Sequence, residues 1–581
     1  MLNNFYEITD NKDRLNLYIL FILLLLGTLV EMIGIGSIPI FAIAIVEPER
    51  ILQNLPNFVN FDFINNVNNK QLTFYVSILI LVIFLFKNIY IGFVNFFSGY
   101  VVKIIRTKTY NNMFNSYIKC NYEFHITKNS ADLVRHITSD VGRAVTYIIS
   151  YINLIKEFLI IITILATLII VDYKISLLIF LLLGLFSVGF FFLSRKGSKL
   201  RGEQIQRYWS KQIKTVNQGL GSIKLTKILG KEKFILNIFK NNIEQIEKYN
   251  FIQGFIITLP RLFLELMAIL VIVIISISFI LTERPFEEFI PLIALIAAAS
   301  IRLIPSFSTI SSSIATMKHN VPSYNLIVSE LKKMKELIFK GRKDASAKFK
   351  DNLIFNKNIR IKNLTYYYPE TKKKIINDVS FQIDHKDIIG IVGSSGAGKS
   401  TLIDLVCGLL KPSSGQILVD DIDINKTENN WQKQIGYVPQ DIYLLDDTIK
   451  SNVAFGELPE NFNEENFKNA IKFAQLENFI NTLPNKDKTI VGDRGIRLSG
   501  GQRQRIGIAR SLYFKPNILI FDEPTSSLDT ENESKIMNDL YKLSNNITII
   551  IISHRLSVFQ KCKKIFKVKD GKVFSVEENN L

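Results

Sequence analysis

A glycine-rich segment in the C-terminal half has the composition of a phosphate-binding loop. Residues 393–401 read Gly-Ser-Ser-Gly-Ala-Gly-Lys-Ser-Thr, after an apolar run that predicts a β-strand and before a stretch that predicts a helix. In this setting backbone N–H groups surround phosphate oxygens, and the helix N-terminus adds partial positive charge. We expect Lys399 to reach the outer phosphates and Ser400 to bind Mg²⁺. The predicted phosphate-contacting residues are Gly393, Ser394, Ser395, Gly396, Ala397, Gly398, Lys399, Ser400 and Thr401.

Two adjacent carboxylates follow another apolar run farther along the chain. Residues 518–521 predict a buried strand, and Asp522 and Glu523 come directly after it. Hydrolysis of a phosphoanhydride needs one group that holds the metal and another that orients or deprotonates the attacking water. We assign the metal to Asp522 and the water to Glu523. The alternative is that both are solvated acids at the end of a structural strand.

A pentapeptide between these two elements makes the prediction specific. Leu498-Ser-Gly-Gly-Gln502 resembles the signature of ATP-binding cassette proteins, and the neighbouring motifs follow that family's order across residues 351–581. The resemblance implies ATP and Mg²⁺ as ligands. It also implies that this segment completes the nucleotide site of another cassette, so that the chain works as a homodimer. The signature residues carried over as nucleotide contacts are Ser499, Gly500, Gly501 and Gln502.

Three further residues take roles from the same resemblance. Tyr368 resembles the aromatic residue that stacks on adenine, and Gln440 resembles the residue that joins the metal shell and links the nucleotide site to the membrane helices. His554 resembles the γ-phosphate sensor, although on its own it would be more typical of a structural histidine. Residues 491–495 resemble the segment that contacts the membrane helices in exporters, and residues 526–529 resemble the D-loop.

The N-terminal half supplies elements that belong in a membrane. A spanning helix needs about 20 mostly apolar residues. Six such stretches are predicted, near residues 15–46, 71–102, 145–171, 175–194, 253–281 and 289–316. After residue 353, short β-rich runs alternate with helical stretches, which predicts an α/β fold. Six spans followed by one cassette resemble an ATP-binding cassette exporter half-transporter. This resemblance implies a multidomain membrane protein, with a six-helix transmembrane bundle of exporter type followed by an α/β P-loop ATPase cassette.

The distribution of charge predicts the topology. The chain has a net charge of +18, yet residues 351–581 hold 31 basic and 29 acidic residues, so the excess lies in the apolar half. The connections 103–143 and 195–250 carry 7 and 13 Lys and Arg, against 2, 1 and 1 in the remaining three connections. Basic loops stay on the cytoplasmic side. We therefore expect a multi-pass protein of the bacterial inner membrane with a cytoplasmic cassette, and no nucleic-acid partner.

Three domains follow from these patterns. Residues 1–317 are predicted to form the transmembrane domain with six helices and two long cytoplasmic loops. Residues 318–350 are polar and basic and predict a linker that is partly helical. Residues 351–581 form the predicted cassette. The scattered cysteines Cys120, Cys407 and Cys562 predict neither a disulfide framework nor a cysteine-based zinc site.

Ionisable residues at membrane depth are candidates for the cargo site. Lys87, Arg261 and Arg302 lie on the second, fifth and sixth predicted spans. Arg261 and Glu265 are four residues apart and are predicted to pair on one helix face. Lys87 and Arg302 have no evident local partner, so we expect them to line a hydrated cavity that suits anionic cargo. The alternative is that they extend toward the lipid headgroups.

Further charged residues in these spans are Glu31, Lys156 and Glu157.

A finer resemblance concerns the membrane half. Residues 30–36, 128–133, 259–265 and 302–306 resemble segments of the bacterial lipid-linked oligosaccharide flippase of protein N-glycosylation. This implies that membrane lipid surrounds the chain, that a pyrophosphate lies in a basic cavity, and that the cargo is an amphipathic anionic lipid. The apolar loop 55–67 predicts either a helix at the membrane surface or an ordinary packed loop.

Other functions remain open at this point. An exporter of peptide, toxin or hydrophobic drug would have the same six spans and cassette. A cassette ATPase acting on DNA or ribosomes would explain the basic charge, but such a protein would not require six membrane spans. An importer usually carries its permease and cassette on separate chains, so their fusion here disfavours it.

Overall fold

The computed structural model describes most of the chain, and it separates into two compact units. The first unit comprises residues 1–120 and 128–336, and the second comprises residues 121–127 and 337–581. The described residues are 9–46, 69–171, 173–281, 286–346, 353–369, 371, 373–426, 430–523, 537–538, 540–541 and 546–576.

Long helices make up the first unit, and six of them contain the six predicted spans. The helices of the N-terminal half are α1 Asn11–Val46, α2 Asn69–Lys119, α3 Tyr122–Thr127, α4 Ser130–Arg135, α5 Val141–Val171, α6 Tyr173–Gly221, α7 Ile223–Ile228, α8 Glu232–Leu281 and α9 Phe286–Ser346. A π-helical turn, His136–Asp140, joins α4 to α5. Among the described residues, four stretches are long and apolar enough to cross a membrane: Asn11–Val46, Lys70–Lys119, Ser130–Ile169 and Glu232–Ile274.

Several of these helices are much longer than a bilayer is thick. α2 has 51 residues and α8 has 50, so each is about 75 Å long at 1.5 Å per residue. The hydrocarbon core of a bilayer is about 30 Å thick. Both helices therefore continue well beyond the membrane, in the regions where the basic loops are predicted.

The predicted linker is helical over most of its length. α9 runs without interruption from Phe286 to Ser346, and the division between the units falls after Glu336. The change from apolar to basic composition near residue 317 thus occurs inside one helix. Composition marks where a helix leaves an apolar environment, which need not be where the helix ends.

The helical unit has an apolar core and one very close backbone approach. Ile35, Ile164, Leu264 and Leu303 are almost fully buried and pack in one cluster, together with neighbours on the same helices. Elsewhere in this unit, the backbones of α6 and α9 approach each other at Gly202. A Cβ there would lie 2.0 Å from the carbonyl oxygen of His319, so this contact requires glycine.

Two predicted features lie outside the described residues. They are the apolar loop 55–67 and the D-loop segment 526–529. Both stay predictions.

The second unit is an α/β domain built on two sheets. The four-stranded sheet has the order β2-β1-β4-β5, and the six-stranded sheet has the order β10-β9-β3-β8-β7-β6. The strands are β1 Asn358–Tyr366, β2 Ile376–Asp384, β3 Ile388–Gly393, β4 Ser414–Val419, β5 Ile422–Asp423, β6 Ile435–Val438, β7 Ile518–Asp522, β8 Thr548–Ile552, β9 Lys564–Lys569 and β10 Lys572–Val576. The helices are α10 Lys399–Val406, α11 Ile449–Val453, α12 Glu464–Phe473, α13 Glu477–Thr482 and α14 Gly500–Tyr513.

The central strands of the larger sheet place the predicted site. β7 and β8 are buried at every position, as expected for parallel strands covered on both faces. β3, β8, β7 and β6 are neighbours and pair in parallel. Their carboxyl ends therefore meet at one edge of the sheet, where ligands bind in open α/β sheets. The glycine-rich loop, Asp522, Ser553 and Gln440 all follow these ends.

Candidate nucleotide site

The glycine-rich loop has the backbone conformation that its sequence predicts. Gly396 and Gly398 have φ angles of 77° and 104°, in the region that other residues rarely adopt. A Cβ at Gly398 would also lie 3.0 Å from the carbonyl oxygen of Ile375. α10 begins immediately afterwards at Lys399. Ser400 is exposed in the first turn of this helix, and Thr401 is buried beside it.

Lys399 lies at the centre of the loop. Its Nζ donates hydrogen bonds to the carbonyl oxygens of Gly393 at 2.8 Å and Ser394 at 3.0 Å. Burial lowers the pKa of Lys399, while the negative charges of Glu523 and Asp522 act in the opposite direction. A partly desolvated ammonium group surrounded by backbone amides is suited to bind phosphate oxygens.

Asp522 is buried at the end of β7, next to a tyrosine on the neighbouring strand. The hydroxyl of Tyr437 donates to Oδ2 of Asp522 at 3.4 Å. Burial raises the pKa of Asp522, and this hydrogen bond opposes the rise. Carboxylate oxygen is the ligand that Mg²⁺ prefers, so the donor set of Asp522 and Ser400 fits the metal.

Glu523 contacts the two other residues that are predicted to be catalytic, Gln440 and His554. Gln440 donates from Nε2 to Oε2 of Glu523 at 2.7 Å. Nε2 of His554 lies 3.0 Å from Oε1 of Glu523 and 3.3 Å from Nζ of Lys399. The backbone of Glu523 has a φ of 53°, a strained conformation of the kind that concentrates at functional sites. The structure thus brings Lys399, Gln440, Asp522, Glu523 and His554 to one place.

Tyr368 lies beside the loop. Its hydroxyl and Oγ1 of Thr401 are 3.0 Å apart, and its ring meets that of Tyr366 edge to face, with centroids 5.2 Å apart. These contacts fix Tyr368 next to the first turn of α10, where the base of a nucleotide held by the loop is expected.

The signature segment forms the start of α14. Oγ of Ser499 accepts from the backbone N–H of Gln502 at 3.2 Å, and Oε1 of Gln502 accepts from the backbone N–H of Ser499 at 2.9 Å. This reciprocal pair is a capping box. Within the described part of the chain, the hydrogen bonds around Lys399 and Glu523 do not involve Ser499 or Gln502, nor Gly500 or Gly501 between them.

Three residues at this edge were not predicted from sequence. Tyr437 contacts Asp522, and Gln504 donates from Nε2 to the carbonyl oxygen of Glu523 at 3.5 Å. Burial and the charge of Asp522 raise the pKa of Asp404 to about 6. The only sequence signal for Tyr437 was its position on β6, three residues before Gln440.

Comparisons with known proteins agree with this geometry. Residues 376–526 match the model of the ABC transporter family. Within the C-terminal unit, the part that runs from β2 through the glycine-rich loop to Glu523 is therefore similar to an ABC transporter cassette.

Curated relatives resemble the chain over slightly more than a third of its length. They include the ABC transporter ATM1 of Toxoplasma gondii, 42% identical over 206 residues, which are 35% of this chain and 18% of that protein. The toxin RTX-I translocation ATP-binding protein of Actinobacillus pleuropneumoniae is 41% identical, over 37% of this chain and 30% of the relative. The ATP-dependent lipid A-core flippase of Bordetella avium is 38% identical, over 37% and 36%. The matched part thus spans between 18% and 36% of the length of these relatives.

A solved structure resembles the whole chain. The structure of a bacterial Atm1-family ABC exporter with ATP bound superposes with a TM-score of 0.75 at 21% identity, over 98% of this chain and 96% of the other. The chain therefore has the fold of an ABC exporter, with apolar helices before the cassette, and this fits a multi-pass membrane protein.

In the helical unit preceding the cassette, Arg261 is paired as predicted. Its Nε donates to Oε1 of Glu265 at 2.8 Å, and 73% of the Arg261 side chain is exposed. Lys87 lies against its own helix, with Nζ 4.8 Å from the centre of the Phe84 ring. Among the described residues, no carboxylate lies within 4.0 Å of its Nζ.

Among the residues that the structure describes, Arg302 has no partner nearby in the sequence, but it has one that is distant along the chain. Its guanidinium binds both carboxylate oxygens of Glu31, from Nε to Oε1 and from Nη2 to Oε2, the latter at 3.2 Å. Nη2 also lies 3.8 Å from Oε2 of Glu157. The partner was invisible in the sequence because Glu31 lies on α1, 271 positions away. Arg302 also lines a cavity of about 20 Å³.

Proposed function

We propose that this chain is one half of an ATP-driven exporter or flippase that works as a homodimer. The observation that carries the proposal is the convergence of Lys399, Asp522, Glu523 and His554 at the carboxyl edge of the sheet. These groups have the chemistry that phosphoryl transfer from ATP to water requires. The helices of the first unit would turn the resulting movement of the cassettes into transport.

Each of these residues is assigned a role in ATP hydrolysis. Lys399 and the loop amides hold the phosphates, and His554 contacts the γ-phosphate from the same side as Glu523. Glu523 orients the water and accepts its proton, while Gln440 keeps the carboxylate in place. Mg²⁺, held by Ser400, Asp522 and Gln440, would neutralise charge on the phosphates. Tyr368 would stack on the adenine.

The homodimer follows from the position of the signature segment. The exposed Ser499 hydroxyl and the amides of Gly500 and Gly501 lie at the N-terminus of a 14-residue helix, a favourable place for an anion. In a second copy this segment would meet ATP held by Lys399 of the first, giving two composite sites. Sedimentation equilibrium in detergent should give the mass of a dimer with ATP and Mg²⁺ present. A monomer that retains ATPase activity would contradict the proposal.

We propose an amphipathic anionic lipid, such as a lipid-pyrophosphate-linked oligosaccharide, as the cargo. Lys87, Arg261 and Arg302 place three cations at membrane depth, and these suit a phosphate-bearing headgroup. The lipid A-core flippase among the relatives is named for a lipid cargo. The bacterial inner membrane is the proposed location, in line with the resemblance of the membrane half to a bacterial lipid-linked oligosaccharide flippase.

The alternative is an exporter of peptide, toxin or hydrophobic drug. A relative named for toxin translocation is 41% identical over 37% of this chain. ATPase activity in proteoliposomes separates the two. Lipid-pyrophosphate-linked glycans should stimulate it and peptides should not. The reverse result would replace the lipid by a peptide cargo.

A further inference from the structure

Arg302 joins three helices through two buried carboxylates. Glu31 on α1 and Glu157 on α5 are each less than a tenth exposed. Glu31 takes the two-point contact, whereas Glu157 stands 3.8 Å away and accepts a hydrogen bond from Oγ of Ser306 at 2.7 Å. The side chain of Arg302 remains 27% exposed. Glu31 is thus the direct counter-ion of Arg302, whereas Glu157 lies farther from the guanidinium and is hydrogen-bonded to Ser306.

A small cavity lies on the Glu31 side of this pair. Its polar lining consists of Thr28, Glu31, Asn95, Lys156 and Arg302. Lys156 donates from Nζ to Oδ1 of Asn95 at 3.0 Å, so it is held by a neutral group. The space amounts to about 20 Å³, enough for one or two water molecules. A headgroup fits here only if a side chain moves out.

Lys87 is a third cation close to the Glu31–Arg302 pair. Lys87 lies against Gly34, which is one turn along α1 from Glu31. A Cβ atom at Gly34 would lie 2.8 Å from Cδ of Lys87. Lys87 is close enough to interact electrostatically with both Glu31 and Arg302. Glu31 is therefore the anion on which Lys87 and Arg302 both act, and Lys156 lines the same cavity as Glu31. In surroundings of low polarity, moving Glu31 away without a substitute would leave these cations uncompensated.

We propose that Glu31 is a built-in counter-ion, which occupies the position that the phosphate of the cargo takes during transport. The incoming phosphate displaces Glu31 from Arg302, and Lys156, which lines the same cavity, provides an additional contact. Glu157 and Ser306 keep the guanidinium in place during the exchange. This inference rests on the proposed anionic cargo, and it assigns binding to Lys156 and competition to Glu31.

The test measures ATPase stimulation of the full-length protein in phosphatidylcholine vesicles, relative to each variant's own basal rate. The probe is farnesyl diphosphate, and the neutral match is farnesol. Glu31→Gln should lower the half-stimulating concentration of the diphosphate by about tenfold, because the competitor has lost its charge. Lys156→Ala should raise it by about tenfold. Farnesol should show neither change.

A matched variant controls for loss of charge alone. Glu157→Gln removes the negative charge of the second carboxylate near the Arg302 guanidinium. Unlike Glu31, Glu157 is not among the residues that line the cavity. An equal gain in Glu157→Gln and Glu31→Gln would overturn the proposal. Should Glu31→Gln fail to fold, Glu31→Asp keeps the charge while retracting it, and it should still lower the half-stimulating concentration. An unchanged value in a folded Glu31→Asp protein would also overturn it.

Failure of the inference and failure of the proposed cargo give different results. If farnesyl diphosphate stimulates the wild type more than farnesol does, yet Glu31→Gln leaves the half-stimulating concentration unchanged, only the counter-ion role is refuted. If the diphosphate has no advantage over farnesol in any variant, the anionic cargo and the counter-ion role are both refuted.

Discussion

Gln440 donates a hydrogen bond to Oε2 of Glu523 at 2.7 Å, although the two residues are 83 positions apart. Parallel pairing of β6 with β7 causes this contact, because Val438 is in register with Phe521, and Gln440 and Glu523 each lie two residues after these paired positions. The second carboxylate oxygen of Glu523 faces His554. Glu523 is therefore held from both sides, as a base that positions water must be.

Replacing Glu523 by glutamine should abolish turnover while leaving ATP binding intact. Glutamine has the same shape and can still accept from Gln440, but it cannot take a proton. We expect the rate of phosphate release to fall roughly 100-fold or more, with ATP retained in dimerised cassettes. Glu477→Gln, at an exposed carboxylate on α13, is the control and should keep the wild-type rate. Rapid hydrolysis by Glu523→Gln would refute the assigned base.

Asp404 should make the stability of the cassette depend on pH. Its pKa is about 6 in the folded protein, because of burial and the charge of Asp522, against 3.8 for the ordinary group. The folded state thus binds this proton more tightly than the unfolded state does. The cost of ionising Asp404 is absent below about pH 4 and grows until about pH 6, above which it is complete.

Asp404→Asn should therefore stabilise the cassette at high pH only. Two pKa units correspond to about 3 kcal/mol, and partial exposure to solvent reduces this to about 1–2 kcal/mol. The melting temperature of the cassette in the nucleotide-free protein should rise by several degrees at pH 8 and much less at pH 4.5. An equal gain at both pH values would show that the ionisation of Asp404 is not the cause.

Replacing Arg302 by alanine should reduce cargo transport more than basal ATPase activity. The change also leaves Glu31 and Glu157 without their cation, and breaking a buried ion pair in this way costs about 3–5 kcal/mol. Arg302→Lys keeps the positive charge but loses the two-point geometry, so it should retain folding and part of the transport. Basal ATPase and lipid flipping in the same vesicles provide the measurement. Equal loss of both activities in Arg302→Lys would indicate a folding role.

The two candidate sites differ in how far sequence could predict them. Lys399, Asp522 and His554 follow three strands that are neighbours in a parallel sheet, so a local motif after each strand is enough to bring them together. Glu31 and Arg302 lie on helices that have no fixed register with each other. Their pairing depends on how four long helices pack and rotate, which an apolar pattern does not specify. Arg261 and Glu265 were predictable because one helix turn joins them.

The composite nucleotide site can be tested by mixing two inactive variants. Lys399→Ala removes the phosphate-binding lysine, and Ser499→Arg places a bulky cation where the signature segment approaches ATP. Each homodimer should be inactive, since both of its sites contain the defect. In a mixed dimer one site receives both substitutions, while the other receives an intact Lys399 from one chain and an intact Ser499 from the other. Coexpression with two different affinity tags isolates this species, which should recover about half of the wild-type ATPase activity if its sites act independently.

The double variant carrying Lys399→Ala and Ser499→Arg on one chain is the matched control. Paired with a wild-type chain, it places one defect in each of the two sites, so this mixed dimer should be inactive although it contains the same number of substitutions. If each cassette instead used its own signature segment, the outcomes would be reversed. The mixed dimer of single variants would be inactive, and the wild-type chain paired with the double variant would keep one functional site. The two dimers thus decide whether Ser499 acts on the Lys399 loop of its own chain or on that of a second copy.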